Sequence, residues 1–212
     1  SLSRTTAGAW QTGHSAGMKK LLNVLSEHKE YLDTLQGKVL YIADWKDENN
    51  GGISYTDYDV ERAAVRLLNP NMLSVCCDKF PENALPIKKG HFSQQCECVL
   101  FPEEEVDVAD NWVLFIETKY AKDENKARDV RNNYPKKMVG QIEATVEYFR
   151  NKGILEENKV VYAIVSFPML DNYNAWFDQN LIHEALAEHQ IIVRATNQAK
   201  ILNKQVIQLY GV

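Results

Sequence analysis

Glu117 and Lys119 stand at the end of an apolar run, Trp112-Val113-Leu114-Phe115-Ile116, that stops at a carboxylate and, two residues on, an ammonium. On a strand, side chains two apart share a face, so the acid and the lysine would stand side by side where the apolar interior ends. A second apolar segment, Cys98-Val99-Leu100-Phe101, begins immediately after Glu97. Brought together, Glu97, Glu117 and Lys119 are groups suited to holding a divalent cation beside a phosphate. Hard cations take oxygen ligands, and an adjacent lysine adds positive charge where negative charge builds. The plainer reading of Glu117 and Lys119 is an ordinary salt bridge at a strand end.

The tripeptide acid-x-Lys alone says little. It recurs as Glu27-His28-Lys29, Glu124-Asn125-Lys126 and Glu157-Asn158-Lys159, all in polar or helical settings. Asp44-Trp45-Lys46 also follows an apolar strand, but only an amphipathic helix is expected ahead of it to supply a second acid. His91, His183 and His189 show no nucleophile or metal-ligand spacing, and no GxGxxG, P-loop, GxSxG or HExxH motif is present.

The elements that must position these residues follow from periodicity and punctuation. Met18, Leu21, Leu22, Leu25, Leu32 and Leu35 recur at helical spacing and predict a helix over 16–36. Gly37 ends it, and 38–43 reads as a strand. A second helix is expected over 57–68, stopped by Asn69-Pro70. The stretch 70–90 reads as irregular, 91–95 and 97–101 as strands, 102–110 as an acidic connection, 111–120 as a strand and 121–134 as a polar loop. Pro135 opens a long helix that Gly153 closes. Val160 to Phe167 predicts a central strand, Asp178 to His189 a helix, 191–195 a strand, and a short helix and strand complete the chain. Alternating helices and strands indicate an α/β domain with a mixed sheet.

Glu97 followed by Glu117-Thr118-Lys119 resembles the PD-(D/E)xK nuclease superfamily, over roughly residues 57–167. The resemblance implies a restriction-endonuclease-like fold, a mixed central sheet flanked by helices, and metal-dependent phosphodiester hydrolysis of DNA with Mg²⁺ or Mn²⁺. It implies Glu97, Glu117 and the Thr118 carbonyl as metal ligands, with Lys119 as catalytic base or charge stabiliser. Two outer positions are similar to the family as well. Glu61, expected on the helix before the sheet with Tyr58, Val65 and Leu68, would be a further metal ligand. Gln141, on the helix after Lys119 with Lys137 and Tyr148 on the same side, would be catalytic. Family members with that Gln commonly carry a Tyr four residues on, where this chain has Thr145. The first acid is Glu rather than Asp, with no Pro before it. A nuclease-fold module that binds or assembles without cleaving therefore stays open, as does an unrelated α/β domain.

At 212 residues the chain has length for one sizeable core and reads as a single domain. Ten Tyr and four Trp argue against disorder. Four Cys in two close pairs, Cys76-Cys77 and Cys96/Cys98, lack the usual CxxC zinc spacing and read as reduced thiols. No apolar run approaches the roughly 18 residues of a membrane helix. No signal-peptide centre is found in the first twenty residues, so a cytoplasmic protein without membrane contact is expected. The net charge of −5 argues mildly against a nucleic-acid partner. Locally, seven Lys and Arg against three acids give +4 between Lys119 and Lys137, a candidate phosphate-contacting patch. The loops at 102–110 and 121–134 are the expected DNA contacts, and homodimerisation is one route to specificity.

Overall fold

The computed structural model describes residues 18, 19, 22, 31–44, 53–54, 65–104 and 110–211. In chain order these form β1 (Leu32–Leu35), β2 (Val39–Asp44), β3 (Ile53–Ser54), β4 (Val65–Leu68) and β5 (Val75–Lys79). Next come β6 (Pro86–Lys88), β7 (His91–Phe92), β8 (Cys98–Pro102) and β9 (Leu114–Thr118). Then follow α1 (Glu124–Arg128), α2 (Tyr134–Asn151), β10 (Val161–Ser166), α3 (Tyr173–Trp176) and α4 (Gln179–His189). The chain closes with β11 (Ile191–Ala195), β12 (Gln198–Ile201) and β13 (Ile207–Leu209).

The main sheet has six strands in the order β1-β5-β8-β9-β10-β11. The first four pair antiparallel; β9, β10 and β11 run parallel. Parallel neighbours need a crossover, and α2 and α4 provide it. Both faces are covered. Cys76, Val99, Phe101, Phe115, Ala163 and Val193 point into a core shared with α2 and α4. The alternate residues Val75, Cys77, Leu100, Leu114 and Ile116 pack on a second, five-stranded sheet, β13-β12-β4-β2-β3. Burial on both faces is why β8 and β9 read as continuous apolar runs. The result is a mixed α/β architecture with helices on one side of the main sheet and a sheet on the other.

The elements framing the site form for local reasons. In α2, Pro135 occupies the first turn, where a missing N–H costs nothing. Met138, Val139, Ile142, Thr145, Val146 and Phe149 make its buried stripe, and Gly153 leaves the helix at φ +72°. The Phe149 ring packs edge-on against Phe80 (5.9 Å) and Phe115 (5.8 Å), tying α2 to the ends of β5 and β9. In α4, the Asp178 side chain caps the first turn by accepting from the Asn180 N–H at 2.9 Å.

Several expectations are corrected. Of the helix predicted over 16–36, Leu32–Leu35 instead forms β1, pairing antiparallel with Val75–Asp78, and 23–30 lie outside the described residues. The last four residues of the helix expected over 57–68 form β4, while 57–64 lie outside the described residues, and the irregular stretch 70–90 contains β5, an interior strand of the main sheet. The segment 121–134 includes the short helix α1. In place of a terminal helix the chain returns as β12 and β13. Among the described residues no helix is long and apolar enough to cross a membrane.

Candidate functional site

The sheet brings Glu97 and Glu117 to neighbouring strand ends. Cys98 lies opposite Ile116 across β8 and β9, and Glu97, just before β8, stands at the end of β9 that carries Glu117. Its backbone is held on both sides: the Glu97 N–H donates to the Ile116 carbonyl (2.9 Å), and its own carbonyl accepts from Phe80 (3.1 Å). Glu117 is flanked on the other side by Val165 of β10 and is only 1% exposed, whereas Glu97 is half-buried. Lys119 continues the strand, its N–H donating to the Ser166 carbonyl at 3.0 Å. Its Nζ reaches back to Glu117 Oε1 at 3.1 Å, as two residues on one strand face should.

The Cys96 thiol registers both carboxylates. Burial chiefly pushes it well above the ordinary thiol range, the charge of Glu117 pushes further, and Glu97 adds to this against the hydrogen bond to Thr145. Both carboxylates therefore act on the same buried sulfur, and Lys119 pairs with Glu117.

Helix α2 locks the approach to Glu97. The Cys96 N–H donates to Thr145 Oγ1 (2.9 Å), the Thr145 hydroxyl donates to the Gln141 carbonyl (2.7 Å), and Gln141 Nε2 donates to the Gln95 carbonyl (3.1 Å). Gln141 thus touches the backbone that carries Glu97. Thr145, where a Tyr was looked for, is fully buried and makes the central link. Lys137, one turn before Gln141, and Lys119 line an open cleft of ≈ 850 Å³, with Tyr134 beside them and Ser93, Gln94 and Gln95 on the opposite wall. Tyr148 faces away from the cleft; its hydroxyl donates to the Pro86 carbonyl at 3.1 Å.

The basic stretch is partly consumed internally. Arg128 bonds Glu124 (3.2 Å) and lies 5.5 Å over the Trp176 ring, and Arg131 grips Asp129 (2.7 Å). Lys119 and Lys137 are its members on the cleft.

Thr118 is buried at the strand end, and by alternation its side chain shares the Ile116 face, away from the two acids; only its carbonyl could join them. Glu61 lies outside the described residues. Among the described residues no three of His, Cys, Asp and Glu group as a metal centre. The protein's share would then be two carboxylates and a carbonyl. Mg²⁺ is commonly held by one or two carboxylates with waters and phosphate oxygens completing its shell, so this donor set fits it.

A further buried acid escaped sequence reading. Asp78 on β5 is fully buried, lies opposite Val99, and is a diagonal neighbour of Glu97 on the helix-facing side. The signal was present in Val75-Cys76-Cys77, an apolar run ending in an acid like the run before Glu117.

No family model, curated protein or solved structure matches this chain.

Proposed function

We propose that this chain hydrolyses phosphodiester bonds in DNA, with a divalent cation held between Glu97 and Glu117. The observation that carries the reading is the buried Glu117, ion-paired with Lys119 at 3.1 Å at a strand end beside Glu97, with Lys119 and Lys137 lining the adjoining cleft. The order of elements supports a restriction-endonuclease-like core: antiparallel β5, β8 and β9, the crossover α2, then β10 parallel to β9.

The residues divide the work by position. Bound Mg²⁺ would supply Lewis acidity toward phosphoryl oxygens and lower the pKa of a bound water. Glu97 and Glu117 would hold it, their backbones fixed by β5, β10 and α2. Lys119, fixed by Glu117 and 30% exposed, sets its ammonium where charge develops on the phosphoryl group. Lys137 adds attraction for the incoming backbone, while Gln141 and Thr145 keep the Gln95–Glu97 segment in place.

The test is cleavage of plasmid, linear duplex, single-stranded DNA and RNA with Mg²⁺ or Mn²⁺, comparing wild type with folded Lys119→Ala. Loss of metal-dependent cleavage by about 10²-fold or more is expected, the scale of removing one transition-state charge donor. Equal cleavage by both proteins overturns the assignment. No cleavage of any substrate transfers the site to a non-catalytic binding module.

A further inference from the structure

Between Glu82 and Glu97 the chain carries no acid, although 29 of its 212 residues are acidic. That interval contains the β6–β7 hairpin, a ribbon paired with no other strand among the described residues. Its tip, Lys88-Lys89-Gly90-His91, is exposed, and Gly90 turns at φ +75° with open space around it. Two large apolar side chains on the same ribbon are also exposed, Ile87 at 64% and Phe92 at 44%. Pro86 pairs with Phe92 and Lys88 with His91, so Ile87 is the extra residue of a bulge, a device that re-aims side chains.

An isolated hairpin is marginal in water, and this one is pegged at its base. Tyr148 of α2 donates to the Pro86 carbonyl, Ser93 N–H donates to the Leu85 carbonyl (2.9 Å), and Ala84 N–H donates to Gln95 Oε1 (3.0 Å). Leu85 and Ala84 are buried in the core. The strand leaving the hairpin runs straight from Phe92 into Ser93, Gln94 and Gln95 on the cleft wall. An anchored ribbon thus carries an aromatic ring next in sequence to the wall of the cleft that Lys119 and Lys137 line, and two lysines at its tip.

We infer that this hairpin is a docking element for single-stranded nucleic acid, with Phe92 stacking on an unpaired base and Lys88 and Lys89 contacting phosphates. The inference rests on the nucleic-acid reading of the cleft and adds its strandedness. A flat aromatic face beside a cationic track is the arrangement that binds unpaired strands without reading sequence, because every base has a face to stack. A regular duplex keeps its base faces covered. The charge complementarity is local: the tip is cationic in a chain of net charge −5.

The test is fluorescence anisotropy of labelled oligo(dT), and of the same oligonucleotide annealed to oligo(dA), in EDTA so that binding is read without cleavage. Wild type should favour the single strand. Phe92→Ala should weaken oligo(dT) binding about 5- to 150-fold, and Phe92→Trp should retain it. Lys88→Ala and Lys89→Ala should each flatten the dependence of log K on log salt by about 0.7. All three side chains are exposed, and an unchanged melting temperature certifies each variant. Tighter binding of the duplex, or Phe92→Ala binding like wild type, overturns the inference. If wild type cleaves DNA while Phe92→Ala binds and cleaves equally well, the hairpin inference alone fails. If wild type binds neither probe and cleaves nothing, the nucleic-acid reading fails with it.

Discussion

Thr145→Val tests the link between α2 and the site at a single oxygen. The side chain is fully buried, and Oγ1 accepts from the Cys96 N–H at 2.9 Å while donating to the Gln141 carbonyl at 2.7 Å. Valine keeps the shape and removes the acceptor. The Gln141 carbonyl stays satisfied within the helix, so the loss falls on the Cys96 N–H, in a residue 2% exposed. Leaving a buried donor without its partner costs about 1–3 kcal/mol. For a chain of this size that lowers the melting temperature by about 2–12 °C. Thr145→Ser keeps the oxygen and loses one methyl, about 1 kcal/mol. The two can therefore overlap in stability, and hydrogen exchange separates them: the 93–98 segment should exchange faster in the valine variant and stay protected in the serine variant. Metal-dependent cleavage should follow the same order, because that segment carries Glu97. Wild-type stability and wild-type exchange in Thr145→Val would refute the clamp.

Asn69 is fully buried, donates to the Gly37 (2.8 Å) and Leu73 (3.0 Å) carbonyls and accepts from the Leu73 N–H (3.0 Å), bolting the β1–β2 turn to the β4–β5 connection. Asn69→Ala should cost about 2–4 kcal/mol by urea unfolding. All four cysteines are free and buried, so a thiol reagent such as DTNB should label none in the native protein and four after denaturation. Burial raises the Cys76 thiol from 9.0 to about 11 and the Tyr173 phenol from 10.0 to about 12. Both are acids held neutral by the fold, so the unfolded chain ionises first and stability falls as pH rises from about 9 to 12. The slope is about 1.4 kcal/mol per pH unit for each group across its own window, measurable as a shifting urea midpoint, with no comparable change between about pH 6 and 8 from these groups.

How much of this was legible in the sequence depended on whether an element's signal was local. Helix α2 carries its own punctuation in Pro135 and Gly153, α4 its Asp178 cap, and β10 an unbroken apolar run, and all three lie where periodicity predicted. Strand β11 falls on 191–195 as read. The misread elements are those decided by partners far along the chain. Leu32 and Leu35 fit a helical stripe, yet pairing with β5 draws them into the sheet. Val65-Arg66-Leu67-Leu68 is too short for periodicity to separate helix from strand, and its neighbours are β2 and β12. Strand β5 hides among prolines that mark turns on either side of it. In the site, Glu117 and Lys119 were visible because strand alternation alone pairs them. That Glu97 comes to the strand end that carries Glu117 is a matter of register, and that Thr145 carries the clamp is a matter of helix docking. Neither leaves a trace in local composition.

The burial of Glu117 bears on whether the site is kept for packing or for chemistry. A carboxylate at 1% exposure loses its water, and the desolvation of a buried ion amounts to several kcal/mol even after relaxation. Its partner Lys119 is 30% exposed, so solvent screens the attraction that would offset this. Glu97, whose charge acts on the same Cys96 thiol, adds a like charge. Between Phe115 and Val165, a leucine at 117 with a methionine at 119 would fill similar volume without either penalty. Replacing a buried ion pair in this way is often neutral or stabilising by about 1–4 kcal/mol. Packing alone thus gives no reason for an acid here, whereas a cation and a phosphate at the cleft call for both acids and the lysine. The double variant Glu117→Leu with Lys119→Met should therefore unfold at a urea midpoint equal to or above that of wild type, and should lose metal-dependent cleavage entirely. A double variant several kcal/mol less stable than wild type would make the pair a structural element and remove the energetic argument for a catalytic one.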